Sequence, residues 1–175
     1  MKTLIFLICV VTLTLTNTIA AQTTKAVPSK PIAPAITEIL VEVEGGSTLK
    51  MKAADLAKLT RNEIKAKGHD EVDSVYSGYE LRFILAPAGA KFGKELKGPT
   101  VAQFLVVEAA DGYRAVYSLT DLDPDFADKV VILADTRDGK QLDAKNGPWQ
   151  VIATNEKKHA RWVRQVTALK VKIAK

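Results

Sequence analysis

Cysteine is almost missing from this chain. The 175 residues include one, Cys9, and two histidines, His69 and His159. A disulfide scaffold is excluded, and a cage of thiolates and imidazoles around a metal has almost nothing to build with. There is no Gly-x-Ser-x-Gly elbow, no Walker-type phosphate loop and no Gly-x-Gly-x-x-Gly turn, so acyl transfer on a hydrolase elbow and nucleotide binding have no support. A large excess of one charge is lacking too. The 25 Lys and Arg against 20 Asp and Glu leave +5 with pI ≈ 9.2, too mild for the concentrated basic stripe that nucleic-acid binding needs. With 47% apolar and 26% charged positions, what remains is an ordinary folded domain rather than a disordered, collagenous or coiled-coil chain.

One long apolar run stands at the start. Met1-Lys2 is followed by a nearly unbroken apolar stretch from Leu4 to Leu15, then the small residues Ala20 and Ala21. That order reads as a cleaved secretory signal over residues 1–21, and the run is too short for a stable membrane anchor. Cys9 lies inside it. The mature chain is therefore expected to be exported, periplasmic or extracellular, with 24 basic and 20 acidic residues and no thiol. Residues 22–35 carry Pro28, Pro31 and Pro34 among Thr, Lys, Ser and Ala, the composition of an extended linker. Residues 36–175 form one domain with no internal repeat.

Within that domain the patterning favours strands. Ile39, Val41 and Val43 alternate with polar or half-buried positions up to Gly45-Gly46, and Leu169, Val171 and Ile173 alternate with Lys170 and Lys172; each predicts a strand with one wet face. Leu49 and Met51 and the segment 63–67 read as further extended pieces. Residues 104–108 and 113–117 flank Asp111-Gly112, and 130–134 precede Asp138-Gly139, so both Asp-Gly pairs predict hairpin turns with positive φ at both residues. Trp149 to Ala153 reads as another strand. Two short helices are expected, over 53–59 and from Tyr79 to about Ala88, the second after a Tyr76-Ser77-Gly78 turn and with Leu81, Ile84 and Leu85 toward the core. The fold class is α+β: a mixed, β-rich domain with a few peripheral helices.

Three groups of residues invite a chemical reading. Asp121, Asp123 and Asp125 open like a calcium loop, but Phe126 replaces its turn glycine and Ile132 its bidentate glutamate, which makes a turn after a short helix the better reading. His69, beside Asp70 and Glu71, is expected in an exposed loop. Trp149 and Trp162 near Lys157, Lys158, Arg161 and Arg164 suggest either a stacking and charged surface for an anion or two packed tryptophans beside a solvated basic strand; the second is favoured.

Taken in order, Tyr76-x-Gly-x-x-Leu81, Ala-x-Ala-Gly-Ala90, Val106-Val-Glu-Ala-Ala-Asp-Gly-Tyr113, Val131-Ile-Leu-Ala134 with Asp138-Gly139, Gly147-Pro148 and Arg161-Trp162-Val163 resemble the molybdopterin-binding domain of sulfite-oxidase-type oxidoreductases. The resemblance runs from about Ile39 to Ile173. It implies a sulfite-oxidase-like fold and a pterin phosphate held by basic residues of the final segment, here Lys158, His159 and Arg161. It also implies a metal held by the dithiolene and a protein thiolate, for which the mature chain has no cysteine; soft thiolate ligation has no hard-oxygen substitute. Gln150 stands where the family has an arginine after Gly-x-Pro.

No residue is therefore assigned to catalysis or to a metal. The expectation is a non-catalytic exported protein that binds a small anionic ligand or a protein partner and carries no cofactor. The alternative is a reduced molybdopterin-dependent oxidoreductase that holds its cofactor without a thiolate.

Overall fold

Among the described residues, alternation resolves into ten strands. The computed structural model describes residues 36–174; the expected signal and linker lie outside them. β1 (Glu38–Val43), β2 (Thr48–Lys52), β5 (Gln103–Ala109), β6 (Arg114–Ser118) and β10 (Val166–Ile173) form one sheet in the order β2-β1-β10-β5-β6. β10 runs parallel to β1, with Val41 opposite Leu169, and antiparallel to β5, with Val107 opposite Leu169. The sheet is thus mixed. A second sheet orders β3 (Arg61–Lys67), β4 (Asp73–Glu80), β7 (Val131–Arg137) and β8 (Lys140–Gln141), with β9 (Gln150–Ala153) also paired to β7.

The core follows from these periods. Ile39, Val41, Leu105, Val107, Leu169 and Val171 are buried from the first sheet, while Lys170 and Lys172 stay on the wetter face. In β7 and β9 the runs Val131–Ala134 and Gln150–Ala153 are buried at every position, because strands covered on both faces need no polar alternate. α2 (Leu81–Leu85) sets Leu81, Ile84 and Leu85 into the same core at zero exposure, each worth about 2 kcal/mol relative to exposure. α1 (Ala53–Leu56) buries Leu56. Both are shorter than predicted; after α2 the chain tightens into a 3₁₀ turn over Ala86–Ala88 and leaves through Gly89 at φ 109°.

Two local expectations are corrected. Tyr76-Ser77-Gly78 is not a turn but the middle of β4. Gly78 is there because a Cβ would sit 2.1 Å from the Leu133 carbonyl oxygen of β7, so glycine marks a close backbone approach beside a bulge rather than a reversal. Asp138 and Gly139 both take positive φ, 51° and 74°, as expected, whereas at the β5–β6 hairpin only Gly112 does, at 86°. That turn closes through Gly112 N–H to the Ala109 carbonyl (3.1 Å), the geometry of a type I turn ending in a left-handed glycine.

No helix of the described residues is long and apolar enough to cross a membrane.

Candidate functional site

The basic segment after β9 is a folded loop rather than a strand. It turns through a 3₁₀ helix at His159–Arg161 and is held by backbone bonds from Val151 N–H to the Val163 carbonyl (2.8 Å) and from Val166 N–H to the Trp149 carbonyl (3.0 Å). Two tyrosines of β6 and its turn hold the same loop: Tyr117 Oη donates to the Arg161 carbonyl (2.6 Å) and Tyr113 Oη to the Ala160 carbonyl (2.7 Å). Burial pushes the Tyr117 hydroxyl well above its ordinary value, which keeps it a donor. Trp149 and Trp162 are both 4% exposed and serve as packing residues, the favoured reading.

Arg161, expected at the anion site, has its charge engaged elsewhere. Its guanidinium donates to Asp121 (2.9 Å) and to Glu156 and lies over the Tyr117 ring at 4.4 Å. Glu156, 6% exposed in its side chain, also meets Lys129 at 3.2 Å. Asp121 therefore points to Arg161, while Asp123, 1% exposed, accepts from the Gly93 and Asp125 backbone N–H groups. The acidic triplet does not converge: Asp121 lies in a short 3₁₀ helix, Leu119–Leu122, and Asp123 and Asp125 follow it at the turn.

His159 faces the other way. Its ring stacks on Trp162 with centroids 4.0 Å apart, and His69 meets it edge-on at 4.9 Å. His69 lies in the exposed β3–β4 turn, as expected, but the turn is pinned over the final segment: Arg137 at the end of β7 donates to Ser74 (2.8 Å) and to Asp70, and lies 5.5 Å from the Tyr76 ring centre. A cleft of about 430 Å³ opens here, lined by His69, His159, Tyr113, Trp162 and Arg164. A smaller one of about 220 Å³ adjoins it, shares His69 and Arg164, and adds Lys145, Asn146 and Gln150. Of the three residues singled out by resemblance, His159 lines the cleft, while Lys158 is exposed beside it and Arg161 is tied to carboxylates.

The residue that sequence reasoning left in the background is Arg164. Arg61, Arg82, Arg114, Arg137 and Arg161 each pair with a carboxylate, but Arg164 pairs with none among the described residues. Nearby, the Trp162 Nε1–H is buried with no acceptor, a loss of about 1 to 3 kcal/mol for an orphaned donor. Burial first, then the positive charges of Arg164, His159 and Lys145, lowers the His69 pKa below its usual value. His69 lines both clefts, whose walls carry the cations Arg137, Lys145 and Arg164 and the carboxylates Asp70, Asp111 and Asp143. Spacing alone gave no sign of this, since residues 69, 145 and 164 meet only through the fold.

No family model matches the chain, and no curated protein matches it in sequence. Among solved structures, the sulfane dehydrogenase SoxCD from Paracoccus pantotrophus is similar to it with a TM-score of 0.60 and 18% identity, over 77% of this chain and 37% of that one. The chain spans little more than a third of that protein's length. The likeness is one of architecture, and it supports a sulfite-oxidase-like, β-rich α+β fold for this chain.

Proposed function

We propose that this is an exported, non-catalytic binding domain that uses a sulfite-oxidase-like fold to hold a small anionic ligand. The observation that carries the reading is Arg164, an arginine without a carboxylate partner among the described residues, on the wall that two clefts share with His69. A charge-assisted contact from such a guanidinium to an oxyanion is roughly twice as strong as a neutral one.

The residues present do not fit the metal end of a molybdenum–pterin group. Residues 36–174 contain no cysteine to supply the thiolate. Arg164, His159 and Lys158 suit a phosphate, which is why the anion is retained in the reading and the redox chemistry is not.

The test uses protein exported in a host that makes the cofactor. Molybdenum and released pterin are assayed, and the same preparation is titrated with inorganic sulfate. The expected result is neither molybdenum nor pterin in stoichiometric amount, with sulfate affinity falling about tenfold in Arg164→Gln. Near-stoichiometric metal and pterin would overturn the reading in favour of a thiolate-free oxidoreductase.

A further inference from the structure

We infer that anion binding in this cleft is coupled to uptake of one proton by His69, so that the pocket captures a doubly charged oxyanion more tightly in acid than in neutral solution. The inference rests on the anion-binding reading above and adds to it the charge class of the ligand and its control by pH.

The geometry comes from three segments. His69 enters from the β3–β4 turn, Lys145 from the loop after β8, and His159 and Arg164 from the segment between β9 and β10. Three carboxylates line the same clefts, and among the described residues only Asp70 of the three is ion-paired. Asp70 pairs with Arg137 at 2.8 Å, Asp143 accepts from the backbone N–H groups of Lys145 and Asn146 at 3.0 and 2.9 Å, and Asp111 accepts from Tyr113 N–H at 2.9 Å. Tyr113 and Arg137 also line these clefts, and Tyr76 is held protonated by burial. His69 shares these clefts with Arg164, Lys145 and Arg137 and meets a second imidazole 4.9 Å away.

Burial first, and then Arg164, His159 and Lys145 against the weaker opposing charge of Asp70, disfavour a positive charge on His69. A dianion between Arg164 and His69 reverses the sign of the field. The anion therefore favours the imidazolium and gains a charge-assisted donor in return. Binding and protonation then favour each other equally, as linkage requires. Above the His69 pKa of the free protein and below that of the complex, one proton enters with each anion and affinity falls about tenfold per unit rise in pH.

Inorganic sulfate is the probe, because it does not itself titrate in this range. The chain has two histidines, so both imidazoles can be followed by NMR while sulfate affinity is measured by calorimetry from about pH 5.5 to about pH 8. The expected result is a raised His69 pKa with sulfate present, an affinity that weakens with pH in the wild type, and a nearly flat profile in a His69→Gln variant whose unfolding midpoint is measured alongside. Sulfate that binds with no pH dependence, or a profile that survives in His69→Gln and is lost in His159→Gln, would overturn the coupling and leave the anion site standing. Sulfate that fails to bind at any pH would overturn both.

Discussion

His159 lies nearly flat on Trp162, with 25° between the ring planes, and His69 stands almost perpendicular to both. The three rings join a turn of the second sheet to the loop that leads into the last strand of the first. Tyr76, edge-on to Trp162 at 5.8 Å, extends the cluster into β4. The cleft wall and the packing of the loop are therefore one structure.

Replacing His159 by alanine removes the stacked ring and part of the Trp162 cover. The expected loss is about 1 kcal/mol, the scale of a stacked pair beyond its buried area, read as a lower urea midpoint with a change in tryptophan emission. An unchanged midpoint would show that the stack adds nothing to stability.

Gly78→Ala and Gly112→Ala separate two uses of glycine. The first places a Cβ 2.1 Å from the Leu133 carbonyl oxygen and 2.6 Å from the Ala134 Cα, both backbone atoms that cannot swing aside, so β4 and β7 must part. About 3 kcal/mol is expected, at the upper end of overpacking. The second meets open space at φ 86° and costs about 1 kcal/mol of conformational strain. Denaturant unfolding of the two variants gives the ranking, and equal losses would contradict the close approach.

Much of this architecture is readable from the sequence, and the failures have physical causes. Period-two alternation gave β1 and β10, and the Asp-Gly pairs gave both hairpins, because those signals are local. Tyr76-Ser77-Gly78 misled because glycine serves turns and close strand approaches alike, and only the position of Leu133 in β7 tells them apart. The candidate site was half legible: His159 was picked out beside Trp162, and Arg161 seemed equivalent until Asp121 and Glu156 were found to engage it. Arg164 became prominent only once every other arginine had a partner.

Glu156→Gln probes that engagement. The carboxylate is nearly buried between Lys129 and Arg161, and neutralising it leaves two cations without their shared counter-charge. Complete burial would cost about 3 to 5 kcal/mol; the partial exposure of Arg161 brings the expected loss to about 2 kcal/mol. A variant as stable as the parent would show that Lys129 and Arg161 find solvent without strain.

The pH dependence of stability gives the last prediction. His69 titrates below its ordinary 6.5 in the folded protein, chiefly through burial and then through Arg164, whereas in the unfolded chain it titrates at the ordinary value. As pH falls through 6.5 the unfolded state takes the proton first, so the contribution is complete above that pH and is lost below it. The thermal midpoint of the wild type should therefore drop more steeply than that of His69→Gln between about pH 7 and about pH 5, and saturating sulfate should reduce or reverse the difference. Parallel curves without sulfate would place His69 in ordinary solvent, outside the field of Arg164 and Lys145.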